Sequence, residues 1–260
     1  MNIIKSIEEN FFAIGRYWGS LNSSINHRQS TWSMSTGIPV ADLNWVWNEK
    51  PIMTKDAGKI TQIKKYYEQL ALPFWWWVYP RGQSPSLKKI LEENVFHFVE
   101  SIPCLAAALS TLPLEACTSA KIAVSLVKSK KDLNLWEKIS FTGFEMEVAA
   151  KKQYRRFVVS FDITTESPQK LFLAYFAGKP VGTALSFFHN DTAGIYFVST
   201  LPNCRRKGIG LAVTLAAMEY AKQAGFKYCV LQASESGFNV YKQAGFKEYC
   251  RADIYSLANT

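Results

Sequence analysis

The stretch VSTLPNCRRKGIGLAVTLAAMEYAKQAGF, Val198–Phe226, decides how this chain is read. Val198, Ser199 and Thr200 close an apolar, strand-like run, while Leu211, Leu215 and Met218 recur at helical spacing further on. RRKGIG, Arg205–Gly210, therefore lies between a strand and the start of a helix. The first-turn N–H groups of a helix have no intrahelical acceptor, and the helix dipole favours negative charge beyond them. Gly208 and Gly210 remove side chains where the main chain must approach a ligand closely, and Arg205, Arg206 and Lys207 surround the place with positive charge. No GK[ST] follows, so this is not a Walker loop, and the dinucleotide G-x-G-x-x-G is absent. The pattern is R-x-x-G-x-G.

Outward from it, KLFLAYFAGKPVGTALSFFHNDTAGIYFVST reads as three apolar runs separated by the turn compositions AGKP and HNDTAG, which predicts an antiparallel meander. After the helix come a strand (KYCVLQAS), a short helix (SGFNVYKQAG) and a last strand (FKEYCRADIYSL). The hexamer KQAGFK occurs at Lys222–Lys227 and again at Lys242–Lys247, a spacing at the short end of solenoid repeats. The residues leading into the two copies differ, so both are read as helix ends: glycine takes the left-handed stop and phenylalanine opens the next strand.

With YFVST before the loop and VYKQAGF after it, the stretch from roughly Leu171 to Tyr255 resembles the GCN5-related N-acetyltransferase (GNAT) family. The resemblance implies an α/β (α+β) acyl-coenzyme A N-acyltransferase fold, with a mixed, mostly antiparallel sheet flanked by helices. It implies that Arg205, Gly208 and Gly210, with the intervening amides of Arg206, Lys207 and Ile209, hold the pyrophosphate of acetyl-coenzyme A. Val198, Ser199 and Thr200 would run along the pantetheine arm like an added strand. Ser234 stands where family members commonly carry an asparagine, and its hydroxyl can also hydrogen-bond the cofactor. Tyr241 matches the family tyrosine that protonates the departing thiolate, although a tyrosine there also suits simple core packing. Glu145, Glu147, Asp162, His189 and Asp253 could accept the amine proton, but none has a distinctive spacing. His189 reads better as part of a hairpin tip, and Glu145 and Glu147 as an exposed helix face. Acetyl transfer to a small-molecule or peptide amine is the leading reading, and a non-catalytic acyl-coenzyme A sensor is the alternative.

The first half echoes the same element order without the R-x-x-G-x-G loop, the matching place reading NEKPIMTKDAGKITQ. Residues 1–127 are therefore read as a degenerate GNAT-like domain and 128–260 as the catalytic one, with the charged VKSKKDLNLWEK at the border. TGIPVADLNWVW loosely resembles tandem members of the family, and an unrelated α/β cap is the alternative. Either would form a wall of the acceptor site or a packing partner. SPSLKKILEENVFHFV is expected to be a helix, and Trp45, Trp47, Trp75, Trp76 and Trp77 are read as core or as an aromatic acceptor pocket.

The length and the 48% hydrophobic content allow one large domain or two ordinary ones. Basic residues number 14 against 10 acidic up to Lys130 and 16 against 11 beyond it, so both halves are mildly basic. That balance alone does not select nucleic acid, membrane or a phosphorylated cofactor, and the dispersed charge argues against nucleic acid. The five cysteines are odd in number and lack a CxxC pair, which predicts reduced thiols, no metal site and a cytoplasmic location. The opening MNIIKSIEENFFAIGRYWGS predicts an amphipathic helix, and IPCLAAALSTLPLEACTSAKIAVSLV is too often interrupted to span a bilayer. A homodimer is left open.

Overall fold

The computed structural model describes residues 2–21, 24–28, 30–53, 57–111 and 121–257. Cys117 and residues 54–56 of the first-half loop lie outside them. In chain order the elements are α1 (Ile3–Leu21), β1 (Ile25–Arg28), β2 (Thr31–Ser35), β3 (Asn44–Asn48), α2 (Ala57–Leu70), β4 (Trp75–Val78), α3 (Pro85–Glu93), β5 (Phe96–Ala108) and β6 (Ile122–Leu126). There follow α4 (Lys130–Gly143), α5 (Lys151–Val159), β7 (Gln169–Phe176), β8 (Lys179–His189), β9 (Thr192–Thr200), α6 (Ile209–Gln223), β10 (Tyr228–Gln232), α7 (Phe238–Gln243) and β11 (Lys247–Leu257).

Two compact units emerge, Met1–Phe11 with Cys104–Tyr249, and Phe12–Pro103 with Cys250–Thr260. In the first, β6, β7, β8 and β9 form the antiparallel meander and β9 pairs in parallel with β10 across the α6 crossover. Cys104–Ala108 of β5 then closes the other edge of β10, antiparallel. In the second, β1, β2 and β3 are antiparallel, β3 is parallel to β4, and Asp253–Tyr255 of β11 pairs antiparallel with β4. The two units follow one plan, and in each the last partner strand comes from the other half of the sequence. Their border therefore differs from the division expected at residue 127. The physical reason lies in β10, whose central Cys229, Val230 and Leu231 are fully buried and need partners on both sides. The apolar run at Cys104–Ala107 supplies one of them.

Local chemistry explains two further differences from the sequence reading. The charged VKSKKD is no border but a helix start: Ser129 Oγ accepts from Asp132 N at 3.1 Å, and Asp132 Oδ2 accepts in return from Ser129 N at 3.1 Å, a reciprocal cap on α4. SPSLKKILEENVFHFV divides into helix and strand. Ser84 caps α3 by accepting from Leu87 N at 3.0 Å, but Val95 takes a left-handed φ of +62° and Phe96 opens β5.

In the first unit α6 lies on the meander through Ile209, Ala212, Val213, Ala217, Met218 and Ala221. The expected stripe of Leu211, Leu215 and Met218 is displaced, with the two leucines only partly buried. Alanines on the buried stripe let the helix axis approach the strands, and Gly182 on β8 continues this at the helix start. A Cβ there would meet Ile209 Cγ2 at 2.8 Å. In the second unit Trp45, Trp47, Trp76 and Trp77 are all buried, at 4%, 0%, 0% and 3% exposure, which settles them as core. Trp76 faces the α2–α3 side with Ile63 and Leu91, while Trp45 and Trp77 meet edge to face on the opposite face.

Candidate active site

The site begins where β9 and β10 part. They pair only from Thr192 to Gly194 against Tyr228 to Val230, yet β9 continues to Thr200 and β10 to Gln232. Past Gly194 the two strands form an open fork. β9 also bulges at that point. Tyr196 faces Leu185 and Ser199 faces Thr183, so Phe197 and Val198 stand opposite Ala184 alone, and Phe197 adopts a left-handed φ of +51°. Such a bulge re-aims the strand beyond it, here Val198–Thr200. Several groups hold it. Trp136 Nε1 donates to Ala184 O at 3.2 Å, and Thr183 Oγ1 donates to Phe197 O at 2.9 Å while lying 2.8 Å from Ser199 Oγ. The Phe197 ring packs against Trp136 and Phe144 at centroid distances of 5.5 and 5.7 Å.

β9 leads through a turn at Pro202–Cys204 into the basic loop. Arg206 and Gly208 both take left-handed backbone, at φ +62° and +80°, and Gly208 caps α6. For an L side chain this conformation costs ~1–2 kcal/mol, so its use at Arg206 marks a turn whose shape is imposed by its surroundings. Alternating backbone of this kind makes a concavity of N–H groups suited to anions. The first i→i−4 bond of α6 runs from Ala212 N to Gly208 O, which leaves the N–H groups of Ile209, Gly210 and Leu211 without intrahelical acceptors. Gly210 is the informative residue. Its φ is not left-handed, and a Cβ there would come no nearer than 3.9 Å to Thr200 Oγ1 and Val240 Cγ1. Nothing inside the fold requires a glycine at that position, so the space over it is free for a bound group. The same distances place the ends of β9 and α7 on either side of the loop.

Arg205 is exposed, yet its guanidinium is engaged by neighbouring groups. Its guanidinium donates to Thr200 O, to Gly143 O at 2.9 Å and to Glu145 Oε2 at 2.6 Å, tying the end of α4 to the loop. Lys207 Nζ donates to Asn203 O and lies over the Phe176 ring, and the Arg206 side chain is exposed. Of the expected charges, Arg206 and Lys207 thus stand at the surface of the loop, while Arg205 is already paired.

Tyr241 lies on α7, 9% exposed, and burial holds its phenol pKa well above the ordinary tyrosine range. Its hydroxyl has no hydrogen-bond partner among the described residues. A Cβ on Gly237 would come within 2.9 Å of the Tyr241 ring, so glycine is what lets the ring lie against the turn after β10. Ser234 accepts from Gly237 N at 3.2 Å and shapes that same turn.

The expected proton acceptors scatter. Glu145 is engaged by Arg205, and Glu147 is exposed before the turn at Val148–Ala150. Asp162 accepts from Thr164 N within its own turn. His189 closes the β8–β9 hairpin opposite Thr192, as its turn reading suggested, and Asp253 lies in the other unit, accepting from Ser101 at 2.8 Å. Two residues escaped the sequence reading. Gly143 ends α4 where a Cβ would strike Ser199 Oγ at 2.6 Å, and Glu137 on α4 is a buried residue. Burial raises its carboxyl pKa, against the lowering influence of Arg155, Lys151 and Lys138.

A meander, a parallel pair that opens into a fork, and a glycine-bearing turn into the crossover helix define the GNAT class of fold. Residues 133–246 match the model of the acetyltransferase (GNAT) family. The fold over almost the whole chain is similar to that of a GCN5-related N-acetyltransferase from Kribbella flavida, with a TM-score of 0.74 at 17% identity over 96% of each chain. A GCN5-related N-acetyltransferase from Sphaerobacter thermophilus is similar at a TM-score of 0.62 and 16% identity, over 87% of this chain and 76% of that one. A tandem GNAT protein from the clavulanic acid biosynthesis pathway gives 0.56 at 11% identity, over 87% and 77%. No curated protein matches the sequence significantly. The family matched over residues 133–246 is one of acetyltransferases. Among the described residues no helix is long and apolar enough to cross a membrane.

Proposed function

We propose that the chain transfers the acetyl group of acetyl-coenzyme A to a primary amine of a small molecule or peptide, by direct attack in a ternary complex. The observation that carries this is the convergence of an open β9–β10 fork with a left-handed basic turn and an unobstructed Gly210. Bound acetyl-coenzyme A supplies the activated thioester. The amides of Arg206–Gly210 hold its pyrophosphate, aided by the Arg206 and Lys207 charges and the α6 dipole. The free edge of Val198–Thr200 hydrogen-bonds the pantetheine arm, with Ser234 alongside. Arg205 keeps the loop closed on Gly143 and Glu145.

In the transfer the amine nitrogen forms a bond to the carbonyl carbon, the C–S bond breaks, and the amine proton leaves to water or a base. A main-chain N–H of Val198–Thr200 faces the carbonyl oxygen as negative charge develops on it. Tyr241 donates its proton to the departing thiolate. The phenol is protonated at neutral pH, and its hydroxyl has no hydrogen-bond partner among the described residues.

The second unit is a degenerate copy that holds no coenzyme A. β3 and β4 stay paired through Trp47 and Trp77, and Asn48 ties their ends together, donating to Gly82 O at 3.0 Å and accepting from Trp76 Nε1 at 3.2 Å. Cys104, Cys204, Cys229 and Cys250 carry thiols, in keeping with a cytoplasmic setting. The test is to mix the full chain with acetyl-coenzyme A and a panel of amines and to follow thiol release. Release that depends on an amine is expected. Binding without release on any amine would favour a sensor, and no binding would overturn both.

A further inference from the structure

Asn10 is fully buried in α1, and its side chain reaches β8 and β9, 177 and more residues away in sequence. Its Nδ2 donates to Phe187 O at 3.2 Å, to Thr192 Oγ1 at 2.9 Å and to Thr192 O at 3.4 Å. Its Oδ1 accepts from the Tyr196 hydroxyl at 2.9 Å. Gly194, the last residue of β9 paired with β10, has no side chain because Asn10 occupies the space: a Cβ there would fall 2.0 Å from Asn10 Oδ1. One amide therefore grips the root of the fork with its nitrogen and holds, through its oxygen, the residue immediately before the Phe197 bulge.

That placement has a mechanical consequence. A bulge has an alternative one residue along the strand, and such a move re-aims the residues next to it, here the start of Val198–Thr200. Thr183 and Trp136 fix the bulge from within β8 and from α4. Tyr196 is its remaining boundary, and burial keeps its phenol protonated and able to donate to Asn10. We infer that Asn10, through Tyr196, is a positioning residue that sets the direction in which Val198–Thr200 leave the fork. This rests on the proposed use of that edge for the acyl donor. Removing the restraint lets the edge shift by an amount small in distance and large in rate, since a misplacement of about 1 Å can cost on the order of 100-fold.

Two variants test this. Tyr196→Phe deletes one oxygen and leaves the Asn10 anchors on the hairpin, and Asn10→Ala removes the whole grip. Hydrogen exchange of the Val198–Thr200 amides, read on the full chain without ligand, should accelerate in both variants while the β7–β8 amides keep wild-type protection. Turnover at a temperature well below unfolding should fall roughly 10- to 100-fold in kcat. Unchanged exchange at Val198–Thr200 in Tyr196→Phe overturns the inference, as does faster exchange with wild-type kcat. If the wild-type chain neither binds nor turns over acetyl-coenzyme A, the proposed function fails, while the exchange measurement still reads the Asn10 grip.

Discussion

Tyr241 shows how a single residue's environment bears on the chemistry. Buried, without a hydrogen-bond partner among the described residues and backed by Gly237, its phenol is kept neutral by desolvation. Tyr241→Phe should lower turnover by roughly 100-fold while leaving acetyl-coenzyme A binding intact, measurable by initial rates beside calorimetry. Wild-type turnover in that variant would reduce Tyr241 to a packing residue. The same burial has a consequence for stability. The folded pKa lies above the unfolded value of about 10, so the unfolded chain loses this proton first. The contribution is complete below about pH 10 and is lost as pH rises from there through the folded pKa. Tyr154, also buried with a raised pKa, acts in the same sense. Denaturant titrations at about pH 8 and about pH 11 should show a loss of stability that is smaller in Tyr241→Phe than in wild type.

At the scale of elements, α6 and the turn before it can be tested by one methyl group. Gly210→Ala meets nothing closer than 3.9 Å and removes a helix glycine, so the free protein should gain up to ~1 kcal/mol. The same methyl enters the space assigned to the bound group, where overpacking costs ~1–3 kcal/mol and weakens binding roughly tenfold or more. A raised melting temperature together with weaker acetyl-coenzyme A binding is expected. Unaltered affinity would remove Gly210 from the site. Gly143→Ala should act oppositely and destabilise the free protein by ~1–3 kcal/mol, because its Cβ would run into Ser199. The loop was legible in the sequence because its signal is local: glycine spacing, adjacent charges, and a strand and helix on either side. The Arg205 pairing was not, since a guanidinium that satisfies Gly143 and Glu145 spells the same as one that waits for a phosphate. Asn10 left no trace either. A single asparagine in an apolar helix reads as a polar interruption, and its partner Thr192 lies 182 residues on.

For the whole molecule, the exchange of partner strands is what the sequence concealed. Hydrophobic patterning marks Cys104–Ala108 as a buried strand, but nothing local says whether its neighbour precedes or follows it, and β10 stands more than a hundred residues later. A chain cut at the expected border, residues 128–260, would lack both that strand and Asn10. It would leave an uncovered apolar edge on β10, so it should be insoluble or aggregate where the full chain does not, as sedimentation of the two would show. A soluble, monomeric fragment would contradict the pairing of β5 with β10.

The central claim is that the open β9–β10 fork binds the acyl donor while the stitched β3–β4 pair does not. Titrating acetyl-coenzyme A into the full chain by calorimetry tests it most directly. One site per chain is expected, weakened in Gly210→Ala. Two equivalent sites, or no binding at all, would contradict it.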